Sequence, residues 1–122
     1  MPPDATDAWF ATCPKGLESL RSMGGQGLLV ELLGIYLEDA PGMLEAIRVA
    51  VAAADAGALQ RAAHGLKGCS ANLGLDLLAA VCFELEEAGR DGATAGASEM
   101  LARLEARYVH IMRLIRAELG KG

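Results

Sequence analysis

The sequence has few aromatic residues and no excess of positive charge. Aromatics make up 4% of its 122 residues, while hydrophobic residues make up 52%. The interior must therefore be built from Leu, Ala, Val, Ile and Met, the mixture that packed helices favour. The formal net charge of -5 argues against the clustered positive surface that binding to a nucleic-acid backbone requires. We therefore expect no nucleic-acid partner.

Signals for membranes and secretion are also missing. There is no uncharged apolar run of about 18 residues, and the first residues lack the basic-then-apolar order of a signal peptide. The three cysteines, Cys13, Cys69 and Cys82, show no C-x-x-C spacing and no disulfide framework, which favours a reducing compartment. We expect a cytoplasmic protein without membrane contact. Glycine-rich phosphate loops and kinase signatures are absent too, so the chain should not phosphorylate itself from ATP.

Length and periodicity indicate one all-α domain over the full chain, since 122 residues are too few for two ordinary domains. Residues 1–24 are predicted to form an N-terminal arm with a short helix that stops at Gly24 and Gly25. Residues 25–120 are predicted to form a helical bundle. Pro41 is expected to kink or divide the first long helix.

Three further helices are predicted after this one. The first of them begins at Asp55, a suitable N-cap, and ends near Gly74, a residue type common after helix ends. The next runs from about Leu75 to residues 89–92. The last is the clearest, because apolar residues recur at steps of three and four along one side, namely Leu101, Leu104, Tyr108, Ile111, Ile115 and Leu119. Short connections predict an antiparallel four-helix bundle with a short N-terminal helical extension.

One histidine lies opposite the apolar stripe of the second long helix. At about 100° per residue, one side carries Leu59, Ala62, Leu66, Cys69 and Leu73, and the other carries Gly57, Gln60, His64, Lys67, Gly68 and Ala71. His64 should therefore face water. Gly65 and Gly68 each cost about 1 kcal/mol relative to alanine in a helix. A helix that accepts both beside one histidine gains clearance for a group that approaches it.

The chemistry of this stretch suits phosphoryl transfer. A neutral imidazole is a competent nucleophile at neutral pH, and Lys67 one turn away can attract an anion. Arg61 is interpreted as an ordinary solvated charge, and so are the acidic residues of the next helix, Glu84, Glu86 and Glu87. His64 and Cys69 point to different sides, so no metal site is predicted.

The stretch Ala63-His64-Gly65-Leu66-Lys67-Gly68, followed by Ser70 and Asn72-Leu73-Gly74, resembles the signature of the histidine-containing phosphotransfer (Hpt) domain of phosphorelays. The resemblance covers the chain from about residue 25 onward. It implies that His64 is phosphorylated, that Lys67 helps to hold the phosphoryl group, and that Gly68 leaves room for the partner's active site. Cys69 is a departure, because a small residue such as serine is common there.

The resemblance implies a phosphoryl carrier and not an enzyme. His64 would accept the phosphoryl group from a receiver-domain phospho-aspartate, on a response regulator or a hybrid histidine kinase, and pass it reversibly to another receiver aspartate. We expect no cofactor on this chain, since Mg²⁺ would belong to the receiver domain. The partner is expected to dock around Gln60, Arg61, Gly68 and Ala71. A monomer is expected, and Met1 together with the length favours a free-standing protein.

Two other functions fit a helical bundle. An interaction module could regulate a receiver domain or a histidine kinase without carrying phosphate, although such a role needs no nucleophile at His64. A phosphatase acting on phosphohistidine or phospho-aspartate would remove the phosphoryl group from its partner and would not become phosphorylated itself.

Overall fold

A computed structural model describes residues 15–120, with side chains described for residues 27, 30–117 and 119. It contains the four helices α1 (Lys15–Ala52), α2 (Ala56–Asn72), α3 (Asp76–Asp91) and α4 (Ala97–Gly120), and a 3-10 turn at Thr94–Gly96. No strand occurs between residues 15 and 120. Within the same range, no helix is both long enough and apolar enough to cross a membrane. The predicted all-α four-helix bundle is confirmed, while residues 1–14 of the predicted arm lie outside the described residues.

The first helix is one continuous element, which corrects the prediction of a separate short helix before Gly24 and excludes a division at Pro41, while the kink at Pro41 stays a prediction. Neither the pair Gly24 and Gly25 nor Pro41 divides α1, and the short helix expected before the glycines forms its first turns. A proline inside a helix costs about 3 kcal/mol. Beyond Pro41, however, Leu44 and Ile47 are buried, and each such side chain contributes about 1.5–3 kcal/mol. Gly24 and Gly25 each make the helix about 1 kcal/mol less favourable than alanine would. This cost does not end a helix that has already formed.

The boundaries of α2 are set by its caps, as predicted. Asp55 Oδ1 accepts a hydrogen bond from the amide of Ala58 over 3.0 Å, which satisfies one free amide of the first turn. At the other end Gly74 has a φ of 75°, a left-handed conformation that glycine adopts without strain. The amide of Leu75 then donates to the carbonyl of Ser70, five residues earlier, over 2.9 Å. This is one of the two hydrogen bonds of a Schellman motif.

The core between the helices is aliphatic. Its fully buried large side chains are Leu33, Leu44, Ile47, Leu59, Leu66, Leu75, Leu78, Leu85, Leu104, Ile111 and Ile115. On α2 the buried side is rotated slightly from the prediction, since Ala63 and Ser70 are buried while Ala62 and Cys69 are only partly buried. The Ser70 hydroxyl lies 2.8 Å from the hydroxyl of Tyr36. This hydrogen bond lets both polar groups remain in the apolar interior.

Candidate functional site

His64 lies in the middle of α2 with its imidazole turned outward. Its side chain is 68% exposed, as the periodicity predicts. A methyl group at Gly65 or Gly68 would meet no other atom within 4 Å, so open space borders the ring along the helix. The surface of α2 next to His64 is therefore open at both glycine positions.

One nitrogen of the ring is held by a buried carboxylate from α3. Nδ1 of His64 lies 2.9 Å from Oε2 of Glu86, and the Glu86 side chain is only 8% exposed. The prediction that Glu86 belongs to a solvated acidic surface with Glu84 and Glu87 is therefore wrong. Glu84 and Glu87 are indeed half-exposed, so the three acidic residues do not share one environment.

Glu86 determines which ring nitrogen carries the proton. The contact with Lys67, and after it the hydrogen bond with His64, holds the pKa of the Glu86 carboxyl below its ordinary value, against the opposing effect of burial. The carboxylate is therefore ionised at neutral pH and only accepts hydrogen bonds. Nδ1 must supply the proton in this bond, which leaves the lone pair on Nε2. In the neutral ring, Nε2 is therefore the nitrogen that keeps its lone pair.

Lys67 reaches the same carboxylate from the next turn of α2. Its Nζ lies 2.5 Å from Oε1 of Glu86, and its side chain is 28% exposed. The ammonium also lies 5.3 Å from the centroid of the Phe83 ring. The two oxygens of Glu86 are thus divided between His64 and Lys67, which keeps a cation within one helical turn of the imidazole.

Helices α2 and α3 run antiparallel and face each other along the site. In order along α2, Gln60 meets Gly89, His64 meets Glu86 and Lys67 meets Phe83. The backbones of the two helices lie close together at Gly89, where a methyl group would stand 2.6 Å from the backbone nitrogen of Gln60. Only glycine fits there. Because Glu86 lies one turn from Gly89, this close approach brings its carboxylate within hydrogen-bonding distance of His64.

The family model described as Hpt domain matches residues 31–116, which is well over half of the chain. The chain belongs to the Hpt domain family. It is also similar to the crystal structure of histidine-containing phosphotransfer protein B (HptB) from Pseudomonas aeruginosa PAO1, with a TM-score of 0.83 and 31% sequence identity. The alignment covers 88% of this chain and 93% of that one. None of the curated proteins compared with the chain matches it.

Membership of the Hpt family determines the general role of the protein. Hpt proteins are phosphoryl carriers in phosphorelays and not enzymes of the usual kind. Hpt domains interact with the receiver domains of response regulators. The chain therefore has a phosphotransfer role in a phosphorelay, and the resemblance found in its sequence is confirmed.

The residues predicted for docking on this Hpt domain differ in exposure and in the neighbouring helix that they face. Gln60 is half-buried where α2 meets α3. Arg61 is exposed towards α1, in a shallow groove lined mostly by small residues. Gly68 and Ala71 are exposed one and two turns beyond His64. The accessible surface around the histidine therefore extends along α2 in both directions and towards both neighbouring helices.

Two residues at the Hpt site were not found from sequence patterns, Glu86 and Phe83. A signal for Glu86 was present, because it falls four residues after Cys82 and three before Gly89, both of which are buried. This spacing places it on the apolar side of α3. A carboxylate at such a position needs hydrogen-bonding or cationic partners. His64 and Lys67 are the partners of Glu86. Phe83 had a weaker signal, as one of the few aromatic residues in the chain.

Proposed function

We propose that Nε2 of His64 accepts a phosphoryl group from the phospho-aspartate of a receiver domain and passes it, reversibly, to the aspartate of another receiver domain. The observation that supports this proposal is the hydrogen bond between Nδ1 of His64 and the buried Glu86. It leaves Nε2 as the free nitrogen of a ring that is 68% exposed. The donor receiver domain belongs to a response regulator or a hybrid histidine kinase.

The forward step forms a nitrogen–phosphorus bond and breaks the acyl phosphate bond of the donor. The lone pair of Nε2 attacks phosphorus, and the aspartate leaves as a carboxylate with the bonding electrons. The imidazole gains positive charge, which the Glu86 carboxylate stabilises from 2.9 Å away at Nδ1. Because the proton on Nδ1 is retained, the reverse step releases a neutral imidazole, which is a good leaving group. The arrangement therefore supports transfer in both directions.

Neutralisation of the transferred charge is divided between the two proteins. Phosphoryl transfer depends mainly on positioning and on stabilising charge at the phosphoryl oxygens. Lys67 supplies one cation within a turn of His64, and the receiver domain supplies Mg²⁺ with its acidic ligands. The open space at Gly68 gives that acidic site access to the imidazole. This chain thus contributes the nucleophile, its orientation and one positive charge.

Transfer of a radioactive label from a phosphorylated receiver domain tests the proposal. The wild-type protein should acquire an acid-labile, base-stable label, and a His64→Gln variant should acquire none. A His110→Gln variant changes the only other histidine and should keep the label. Circular dichroism establishes that both variants are folded.

Three outcomes would contradict the proposal. A label that persists in folded His64→Gln would show that another residue accepts the phosphoryl group. Loss of the label from the receiver domain with none gained by this chain would indicate a phosphatase. Binding of the receiver domain without any transfer would indicate an interaction module.

A further inference from the structure

Phe83 is an exposed aromatic residue beside the proposed phosphorylation site. The residue is 44% exposed and lies on α3, three positions before Glu86. Nζ of Lys67 lies 5.3 Å from the centroid of its ring, within the distance of about 6 Å at which a cation is attracted to an aromatic face. A large apolar side chain with this much exposure contributes only part of its area to the core. The face of its ring is in contact with the ammonium of Lys67.

The ammonium of Lys67 therefore has two partners of different kinds. Glu86 attracts it through a full negative charge at 2.5 Å, and Phe83 attracts it through the negative face of a neutral ring. A free lysine side chain samples many rotamers and loses this entropy when it is held in one place. A site that uses the charge of a lysine therefore gains from contacts that restrict the side chain before the reaction begins.

The two partners respond differently when a phosphoryl group arrives. The incoming group is negatively charged, so it competes with the Glu86 carboxylate for the ammonium. The Phe83 ring has no formal charge and keeps its attraction while the ammonium contacts the phosphoryl oxygens. We propose that Phe83 is a positioning residue whose ring keeps the ammonium of Lys67 near His64 before and during phosphoryl transfer. This inference rests on the proposed function of His64.

A double-mutant cycle between Phe83 and Lys67 tests this role. Phe83→Leu keeps an apolar side chain but removes the aromatic face, and Phe83→Tyr retains the face. Lys67→Met removes the ammonium from a long unbranched side chain. Val109→Ala, at an exposed apolar position of α4, is the matched control for loss of exposed apolar surface. Transfer from a phosphorylated receiver domain is measured in single turnover, after circular dichroism has established folding.

Phe83→Leu should slow transfer about two- to fivefold, the change that corresponds to a contact of about 0.5–1 kcal/mol. Phe83→Tyr and Val109→Ala should transfer at the wild-type rate. In the Lys67→Met background, Phe83→Leu should cause no further slowing, because the ring then has no cation to hold. In proton NMR spectra, the ε-methylene signal of Lys67 should lose its upfield ring-current shift in Phe83→Leu and keep it in Phe83→Tyr.

Equal slowing by Phe83→Leu with and without the ammonium of Lys67 would overturn this inference, because it would show that Phe83 contacts the partner directly. An unchanged rate for Phe83→Leu, or an unchanged Lys67 signal, would overturn it as well. If the wild-type protein acquires no label at all, the proposed function of His64 fails instead. The two failures are therefore distinguishable in one set of experiments.

Discussion

Glu86 on α3 accepts a hydrogen bond over 2.9 Å from Nδ1 of His64 on α2. Its other oxygen lies 2.5 Å from the ammonium of Lys67. One buried acid thus orients the ring and holds the neighbouring cation. A buried aspartate orients the histidine of serine proteases through the same kind of bond to Nδ1. A change at Glu86 should therefore alter the reactivity of His64 without touching the atom that carries the phosphoryl group.

Glu86→Gln should slow phosphoryl transfer to His64 roughly 10- to 100-fold. Loss of a residue that orients a metal-binding histidine in other proteins has an effect of this size. The uncharged amide neither stabilises the positive ring as strongly nor enforces a proton on Nδ1. Single-turnover transfer from a phosphorylated receiver domain measures the effect. Glu87→Gln makes the same change at a 47% exposed side chain of the same helix and should leave the rate unchanged. Equal rates for the two variants would exclude an orienting role.

Glu86 should also make the stability of the fold sensitive to acid. Lys67 and His64 hold the pKa of its carboxyl below the ordinary value of about 4.5, and Arg90 Nη2 lies 4.0 Å from Oε2. The folded state then binds fewer protons than the unfolded state. The stabilisation that the ionised Glu86 gives to the folded state is present above the ordinary pKa. It is lost as the pH falls through the lowered pKa of the folded state.

Urea unfolding of the wild-type protein and of Glu86→Gln at pH 5 and pH 3 measures this effect. The free energy of unfolding of the wild-type protein, relative to that of the variant, should decrease from pH 5 to pH 3. A difference that does not change over this range would mean that the Glu86 carboxyl has its ordinary pKa in the folded state.

Gly89→Ala should both destabilise the bundle and slow transfer. Its methyl group would stand 2.6 Å from the backbone nitrogen of Gln60, so α2 and α3 would have to separate, and overpacking of this kind costs about 1–3 kcal/mol. The separation would draw Glu86 away from His64. Gly42→Ala, where the added methyl group meets nothing within 4 Å, should be neutral or stabilising by up to about 1 kcal/mol. Similar urea unfolding curves for the two variants would contradict the close approach.

Gly68→Gln should have the opposite profile, with normal stability and severely reduced transfer. The position is exposed and free of neighbours within 4 Å of an added methyl group, and a glutamine favours the helix more than glycine does. The long side chain would fill the space beside His64 that the receiver domain needs, so transfer should fall more than tenfold. A large loss of thermal stability would show instead that Gly68 is required for packing.

The fold could be predicted largely from local signals, as α2 illustrates. Asp55 and Gly74 are residue types that favour its two ends, and both act as predicted. The continuity of α1 through Pro41 could not be predicted in this way. It depends on how deeply Leu44 and Ile47 are buried, and burial is a property of the assembled bundle.

The site was predicted only where its residues share one helix. His64, Lys67 and Gly68 are close in sequence, so periodicity alone brings them together on α2. Glu86 and Phe83 come from α3, and their contacts depend on the antiparallel register that the close approach at Gly89 determines. A single sequence contains no direct record of that register. The sequence alone therefore does not distinguish Glu86 from Glu84 and Glu87, because only the packing of α3 against α2 buries its carboxylate.

The nitrogen of His64 that carries the phosphoryl group can be identified by NMR. The protein, labelled with nitrogen-15 in histidine, is phosphorylated by a phosphorylated receiver domain, and phosphorus–nitrogen couplings are measured by NMR. We predict a phosphorus atom bonded to Nε2 of His64, with Nδ1 still hydrogen-bonded to Glu86. A phosphorus atom bonded to Nδ1, or a signal that survives in His64→Gln, would contradict it.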